Sequence, residues 1–226
     1  CDWSSDVCSS DLDLQYKNNS HKSVWPWSEL ISYVTGYAVS STPRPLHVLE
    51  LGCGAGANIP FFLEKKWNYF GIDGSENIIK KLKKRFPEIK ENLKVGDFTK
   101  NIPFEYNFDI IVDRASLTHN SSENILNCLE LVIEKMNPGA KYFGIDWFST
   151  NHDEYSLGKP HEDVFTRIGY TQGPFANVGQ VHFSNKRHLL NLFSKFKIIV
   201  LEHKIVNSII PAKKRYAYWN FVAQKP

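Results

Sequence analysis

The chain is poor in the features that staple secreted proteins or embed membrane proteins. It has four cysteines in 226 residues, too few for a disulfide framework. Its longest apolar stretches, such as Ile198–Leu201, are strand-sized, whereas a membrane span needs roughly 18 consecutive apolar residues. Runs of like charge are missing too. Lys80-Lys81 with Lys83-Lys84-Arg85 reads as the solvated face of a helix rather than a nucleic-acid arm. None of the eight histidines stands at zinc-ligand spacing from Cys or carboxylate partners. Neither a Gly-x-Ser-x-Gly elbow nor a Walker loop occurs. At 42% hydrophobic and 23% charged, the composition is that of a globular domain. We therefore expect no metal, no nucleic acid and no membrane as partners, and a reducing, cytoplasmic setting. The composition says nothing of oligomeric state.

Residues 1–12, CDWSSDVCSSDL, stand apart from the rest. They are rich in Ser and Asp, show no period, and are similar to the translation of a sequencing-adapter oligonucleotide. The chain does not open on Met. We expect this segment to be foreign to the fold. Without its three aspartates the formal charge rises from +3 to +6, and Cys53 and Cys128 are the cysteines that remain.

From about residue 46 the sequence alternates short β-type runs with helical periods, the pattern of a parallel sheet covered by helices. The spacing predicts strands at His47–Leu51, Tyr69–Asp73, Leu93–Gly96, Phe108–Val112 and Lys141–Trp147, the last entered through an Asn137-Pro138-Gly139 turn. Helices are expected over Ala57–Lys66, with Pro60 in its first turn, over Glu76–Phe86, and from a Ser121 or Ser122 cap to Met136. Residues 148–184 carry Gly, Asn, His and aromatics without a period and read as a long functional loop. A helix at Asn185–Lys195 and a hairpin of Ile198–Val206 with Tyr216–Ala223 follow. Residues 13–45, with Trp25-Pro26-Trp27 and a helical run at Glu29–Tyr37, read as an N-terminal cap on a domain spanning 46–226.

The chemistry concentrates in Val48-Leu49-Glu50-Leu51-Gly52-Cys53-Gly54-Ala55-Gly56-Ala57-Asn58. A strand enters a glycine-dense turn and then a helix, which lets a ligand approach the backbone without Cβ interference. Gly52-x-Gly54-x-x-Ala57 by itself also fits a dinucleotide fingerprint, so a nicotinamide-dependent oxidoreductase stays open at this point. The acids tip the balance. Glu50 precedes the glycines, and Asp73, Asp97 and Asp113 end the next three strands. They form an acidic rim where open α/β sheets bind ligands. Such a rim repels a pyrophosphate and attracts a cation.

With these segments in order, the sequence resembles the class I S-adenosylmethionine-dependent methyltransferases. Glu50 to Gly56 is similar to their first motif, Gly71-Ile-Asp73-Gly74-Ser75 to the second, Gly96-Asp97-Phe98 to the third, and Phe108 to Arg114 to the fourth. Asn137-Pro-Gly-Ala-Lys141 is similar to the turn into the fifth strand, with Ala140 in place of a second glycine. The resemblance covers roughly residues 46–147. It implies an α/β, Rossmann-like, seven-stranded and mostly parallel sheet with helices on both faces and a C-terminal antiparallel hairpin. It also implies S-adenosyl-L-methionine as cofactor. Asp73 would take the ribose hydroxyls, and Asp97 with Phe98 the adenine. Glu50, Gly52, Cys53, Gly54, Gly56, Asn58, Gly74, Ser75, Asp113 and Arg114 would complete the cofactor site. Asp113-Arg-Ala-Ser116 lacks the Asn/Asp-Pro-Pro-Tyr with which enzymes that methylate amino groups grip a planar nitrogen.

Methyl transfer needs alignment more than a base unless the acceptor is protonated at working pH. His119, after the fourth strand, is the candidate base. Asp146, Trp147, His152 and Tyr155, with the loop 148–184 and the aromatic-rich cap 13–45, are expected to hold a small polar acceptor for transfer to O or N. A non-catalytic scaffold that only binds the cofactor is the other reading of these residues. Tyr155 and Lys159 mimic the dehydrogenase pair, but Gly158 and Pro160 break the helix that pair requires.

Overall fold

In the computed structural model, residues 24–38 and 43–226 are described; the adapter-like segment 1–12 and the remainder of the cap lie outside the described residues. The elements are α1 (Ser28–Tyr37), β1 (His47–Leu51), α2 (Ile59–Glu64), β2 (Asn68–Asp73), α3 (Glu76–Arg85), β3 (Leu93–Val95), β4 (Phe108–Arg114), α4 (Ser122–Lys135), β5 (Met136–Phe148), three short strands β6 (Lys159–Pro160), β7 (Thr166–Ile168) and β8 (Val181–His182), α5 (Lys186–Leu192), β9 (Lys197–Ser208) and β10 (Lys214–Gln224). The main sheet runs β3-β2-β1-β4-β5-β10-β9. Strands β1 to β5 are parallel, and β10 runs antiparallel to β5 and β9. The chain order reverses between β1 and β4, so their carboxyl ends open the crevice where ligands of such sheets bind.

Two apolar clusters sandwich the sheet. On one face Leu30 and Val34 of α1, Ile59 and Phe62 of α2, and Ile78, Ile79 and Leu82 of α3 pack on Val48, Ile110, Val112, Phe143 and Ile145. On the other, Ile125, Cys128, Leu129 and Val132 of α4 and Leu189 and Leu192 of α5 pack on Leu49, Leu51, Phe108, Ile111 and Tyr142. Central strands buried on both sides read as continuous apolar runs, which is why β1 and β4 were visible in the sequence. The helices start where capping residues stand. The Ser75 Oγ accepts from Ile78 N at 3.2 Å, and the Ser121 Oγ accepts from Asn124 N at 3.3 Å.

Three local expectations change. Helix α2 begins at Ile59 because Gly56, at φ +73°, and the next two residues still complete the turn; Pro60 does sit in its first turn. Strand β5 begins at Met136 and absorbs the expected Asn137-Pro138-Gly139 turn. Its pairing jumps from Phe108↔Met136 to Ile110↔Lys141, and the excursion is held by Gly139 N to Lys225 O and Lys225 N to Ala140 O. Residues 148–184 are no irregular loop. Strands β6, β7 and β8 form a small antiparallel sheet, with its own cluster of Tyr170, Phe175, Val178, Val181 and Phe183, against which Phe148 and Tyr155 pack. Strands of two or three residues carry no readable period. They are fixed instead by local devices such as Asp163, whose Oδ1 accepts from both Phe165 N and Thr166 N at 2.7 Å.

Gly144 in β5 tests how tightly the second face is packed. A Cβ there would meet the Phe221 ring at 2.2–2.7 Å, and that ring is enclosed by Tyr142, Trp147 and Phe193. The Gly144→Ala variant is expected to lose about 1–3 kcal/mol of unfolding free energy through overpacking, measured by chemical denaturation. An unchanged midpoint would show that the ring can move aside.

Candidate active site

The glycine turn after β1 is built from left-handed backbone. Gly52, Gly54 and Gly56 have φ of +67°, +48° and +73°, a region that strains other residues. Two of the three are also closed to a side chain by packing. A Cβ on Gly52 would lie 2.4 Å from Ser116 Cβ, and one on Gly56 would lie 2.6 Å from Leu82 Cδ2. The turn is tied to β2: Gly52 N and Cys53 N both donate to Ile72 O, and Gly54 N donates to Asp73 Oδ2 at 2.8 Å. The Cys53 amide expected at the ligand is thus bonded within the fold. Its side chain is a buried thiol whose titration burial pushes far up.

The four acids stand at or just after the carboxyl ends of β1 to β4, and Asp73 and Asp113 are near enough to Glu50 to act on its carboxyl. Asp73 accepts Gly54 N on one oxygen and Ser75 N on the other. Ser75 is buried and caps α3, and Gly74 between them is exposed. Asp97 takes Thr99 N and Oγ1 on Oδ1 and faces Lys100 at 3.3 Å. The half-buried Phe98 puts Cε1 3.8 Å from where a Gly52 Cβ would stand, beside the turn. Glu50 is 3% exposed, with one oxygen on Asn58 Nδ2 at 2.7 Å and the other on the Tyr69 hydroxyl at 2.5 Å. Burial raises its carboxyl to about 7. Tyr69 and Asn58 oppose the shift, and Asp73 and Asp113 add to it. Asn58 is a bridge, since its Oδ1 also accepts Trp27 N at 3.3 Å from the cap.

Asp113 has a different role from the other three acids. It is fully buried. Its Oδ1 receives Ser116 N at 2.9 Å, Leu117 N at 3.2 Å and the Ser116 hydroxyl. Its Oδ2 receives the Tyr142 hydroxyl at 3.1 Å and Trp147 Nε1 at 2.6 Å. With both oxygens saturated by the protein, it organises the turn instead of facing a ligand. Trp147, expected at the acceptor, is likewise fully buried on this carboxylate.

Beyond Asp113 the backbone is unusual at two adjacent strand ends. Ala115 after β4 and Asp146 in β5 are left-handed, at φ +55° and +57°. Asp146 sits in a β-bulge: Phe221 pairs with Gly144 and Trp219 with Trp147, so Ile145 and Asp146 together oppose Asn220. Bulges re-aim side chains beside active sites. Here Asp146 N donates to Asn220 Oδ1 at 2.8 Å, and the Asp146 carboxylate meets Arg114 at 2.9 Å. The Arg114 guanidinium lies 3.4 Å from the centre of the Trp27 ring, and its Nε is buried without a hydrogen-bond partner among the described residues. Helix α1 adds Glu29, which pairs with Lys204, accepts Asn220 Nδ2 at 3.5 Å and acts on the Asp146 carboxyl. Burial raises the Asp146 carboxyl, Glu29 adds to the rise, and Arg114 opposes it.

The segment 148–184 leaves the sheet at this same end. His119 follows in a 3₁₀ turn, Leu117–His119, edge-on to Phe148 with centroids 6.1 Å apart. Its Nδ1 is enclosed and has no hydrogen-bond partner among the described residues. Burial lowers its proton affinity, so the ring is neutral at neutral pH, while a backbone hydrogen bond with Gln180 opposes the shift. His152 and Tyr155 serve packing. The His152 ring is ringed by Phe148, Phe175, Phe183, Tyr216 and Tyr218, and its Nδ1 accepts Glu154 N at 3.2 Å. The Tyr155 hydroxyl donates to Val164 O at 3.0 Å. Trp27 was legible only as part of an aromatic cap, and Glu29, Asn220, Tyr216 and Tyr218 escaped the sequence reading. The alternation of Tyr216, Tyr218 and Asn220 on one face of β10 was a signal for the last three. The cap residues have no motif.

Residues 48–139 match the model of a methyltransferase domain family. The chain carries a class I methyltransferase domain. The match decides against the nicotinamide alternative that the glycine spacing left open. A S-adenosylmethionine-dependent methyltransferase from Methanosarcina mazei superposes with a TM-score of 0.65 at 17% identity, over 89% of this chain and 98% of the other. One from Clostridium acetobutylicum gives 0.61 at 14%, over 93% and 95%. A glycopeptide N-methyltransferase complexed with sinefungin gives 0.60 at 18%, over 88% and 86%. Among curated proteins none matches the sequence. The methyltransferase is an enzyme with S-adenosyl-L-methionine as cofactor, and the acids around its glycine turn suit a ligand bearing positive charge. Among the described residues no helix is long and apolar enough to cross a membrane.

The buried Glu50 makes the stability of the methyltransferase depend on pH. Its carboxyl holds a proton in the fold up to about 7 and in the unfolded chain only to about 4.5, so the fold binds the extra proton in this window and loses stability as pH rises through it. Glu50→Gln removes that slope. Its unfolding free energy relative to wild type is expected to rise by up to about 3 kcal/mol between pH 4.5 and 7.5, read from denaturation curves at the two pH values. A pH-independent difference would mean that Glu50 is ionised throughout.

Proposed function

We propose that this methyltransferase moves a methyl group to an oxygen or nitrogen of a small polar molecule bound at the carboxyl ends of β4 and β5. The observation that carries the reading is the Arg114–Asp146 pair. It is placed by a bulge and by left-handed backbone, covered by Trp27 from the cap, and bordered by Phe148 where the segment 148–184 begins. Backbone held in sparsely populated conformations clusters at functional sites. Cover on two sides by short segments of this chain favours a small acceptor over a macromolecule. We place the enzyme in a reducing, cytoplasmic setting, in keeping with the free, buried thiols of Cys53 and Cys128.

In this reading Glu50 faces the cationic end of the cofactor, Asp73 the ribose hydroxyls, and Asp97 with Phe98 the adenine. Gly52, Gly54 and Gly56 let it approach. Bound cofactor supplies an already activated methyl on a sulfonium. The protein then has to align the acceptor and exclude water, and alignment alone is worth about 7–11 kcal/mol of barrier. Arg114 and Asp146 orient the polar end of the acceptor, while Phe148, Tyr216 and Tyr218 form an apolar wall. Neutral His119 takes the proton of a hydroxyl or ammonium acceptor.

Two substitutions separate these roles. Asp73→Ala is expected to weaken cofactor binding by about 1–3 kcal/mol in calorimetry on a variant that keeps its fold; unchanged affinity would remove Asp73 from the ribose. His119→Ala is expected to keep cofactor affinity and lose about 10²–10⁴-fold in turnover. Because burial lowers the His119 pKa below its ordinary 6.5, wild-type kcat/KM should fall only on the acid side of that value, and the variant should lack this limb. Full turnover in the variant would discard His119 as the base.

A further inference from the structure

The tip of the β9–β10 hairpin lies outside the site described above. Phe148 ends β5 opposite Tyr218, whereas the hairpin continues its pairing to Lys214↔Ser208. Residues 208–215 therefore overhang the sheet at the carboxyl ends of its parallel strands, the side that holds the candidate site. The overhang has two chemical halves. Ile209-Ile210-Pro211-Ala212 is apolar and in water, with Ile209 66% and Ile210 86% exposed. Lys213-Lys214-Arg215 is basic, and with Asp153, Asn207, Ser208 and Ile209 it lines an open hollow of about 460 Å³. Lys214 is matched by the buried Glu154 at 2.6 Å, and the Asp153 carboxylate accepts Arg215 N at 2.7 Å. The Arg215 side chain touches a neutral partner, Asn207 Oδ1, at 3.3 Å. Leu157, just after the 3₁₀ turn that carries Asp153, is also 66% exposed.

We propose that this tip docks on an anionic lipid surface. Ile209 and Ile210 enter the boundary between headgroups and acyl chains, and Lys213 and Arg215 contact the anionic headgroups. Adjacent exposed apolar residues backed by cations are the two ingredients of interfacial binding, which sums buried apolar area and attraction to anionic lipid. A second copy is a poorer occupant, since self-pairing at the tip would bring like-charged collars together. A free anion in the hollow would face the Asp153 carboxylate that also lines it and would leave Ile210 in water. The contact is one of lying on a membrane rather than spanning it. It departs from the expectation that no membrane is a partner, and it sets the mouth of the candidate site toward the interface.

The test is co-sedimentation of the full chain with vesicles of phosphatidylcholine alone and of phosphatidylcholine mixed with phosphatidylglycerol. Binding is expected to the anionic vesicles only and to weaken with salt. It should fall on the order of tenfold in Ile209→Ser/Ile210→Ser and, separately, in Lys213→Ser/Arg215→Ser, with cofactor affinity and circular dichroism unchanged because all four side chains are exposed. No binding to anionic vesicles, equal binding to phosphatidylcholine alone, or binding that survives both double variants would overturn the proposal. So would displacement by inorganic phosphate beyond that of sodium chloride at equal ionic strength, which assigns the hollow to a free anion. A dimer that is lost in Ile209→Ser/Ile210→Ser, without vesicle binding, would assign the tip to a second copy and overturn it as well.

Discussion

The buried Asp113 carboxylate is the constraint on which the site depends. An unpaired charge of this kind is costly in a protein interior, and every donor that satisfies it fixes a piece of structure. Ser116 N and Leu117 N set the turn leaving β4, while Tyr142 and Trp147 bind that turn to β5. The Ser116 hydroxyl lies between Asp113 and the Leu51 carbonyl, and its Cβ fills the space that a side chain at Gly52 would need. One carboxylate thus sets the spacing of β1, β4 and β5 at the point where the sheet order reverses. The glycine turn is held open for a ligand by an acid that is itself closed to one.

From that anchor the region around Arg114 and Asp146, proposed to hold the acceptor, is assembled by departures from regular strand geometry. A regular β5 would alternate its side chains across the sheet, and the extra residue opposite Asn220 breaks that alternation. Asp146 then turns to Arg114, and Arg114 lies against Trp27 of the cap. The cap is fastened at other points too, by Trp27 N on Asn58 and by Tyr33 on Glu202. Asn58 also holds Glu50. Glu50 and the Arg114–Asp146 pair are therefore linked through Asn58 and Trp27 at the start of α1.

The segment 148–184 adds a second, smaller core to the same end of the sheet. Its aromatic residues face one another and hold the segment to the hairpin through His152, Tyr216 and Tyr218. Thr150 N to Ser184 O and Ser184 N to Phe148 O close its two ends on each other. Such self-packing gives a wall of fixed shape rather than a loop that folds around its ligand.

What the sequence by itself determined was the parallel sheet, its helices and the acidic rim. Two-sided burial makes central strands continuously apolar, amphipathic helices carry a 3.6-residue period, and a ligand-approaching turn requires glycine; these are local consequences of composition, legible in His47–Asp73 and Phe108–Arg114. The tertiary structure alone decided which acid is closed off by the fold's own donors. Glu50, Asp73, Asp97 and Asp113 look alike as strand-terminal carboxylates, yet Asp113 is saturated by donors from residues 116 to 147, brought together by the folding of β5. It also decided that Trp147, His152 and Tyr155 pack, while Trp27, Asp146 and Arg114 meet. Those contacts join residues 87 positions apart, from the cap to β4, and then 32 positions apart, from β4 to β5. The Asp146 contact turns on a single bulged residue, and that extra place opposite Asn220 is fixed by the partner strand β10, not by the periodicity of β5 itself.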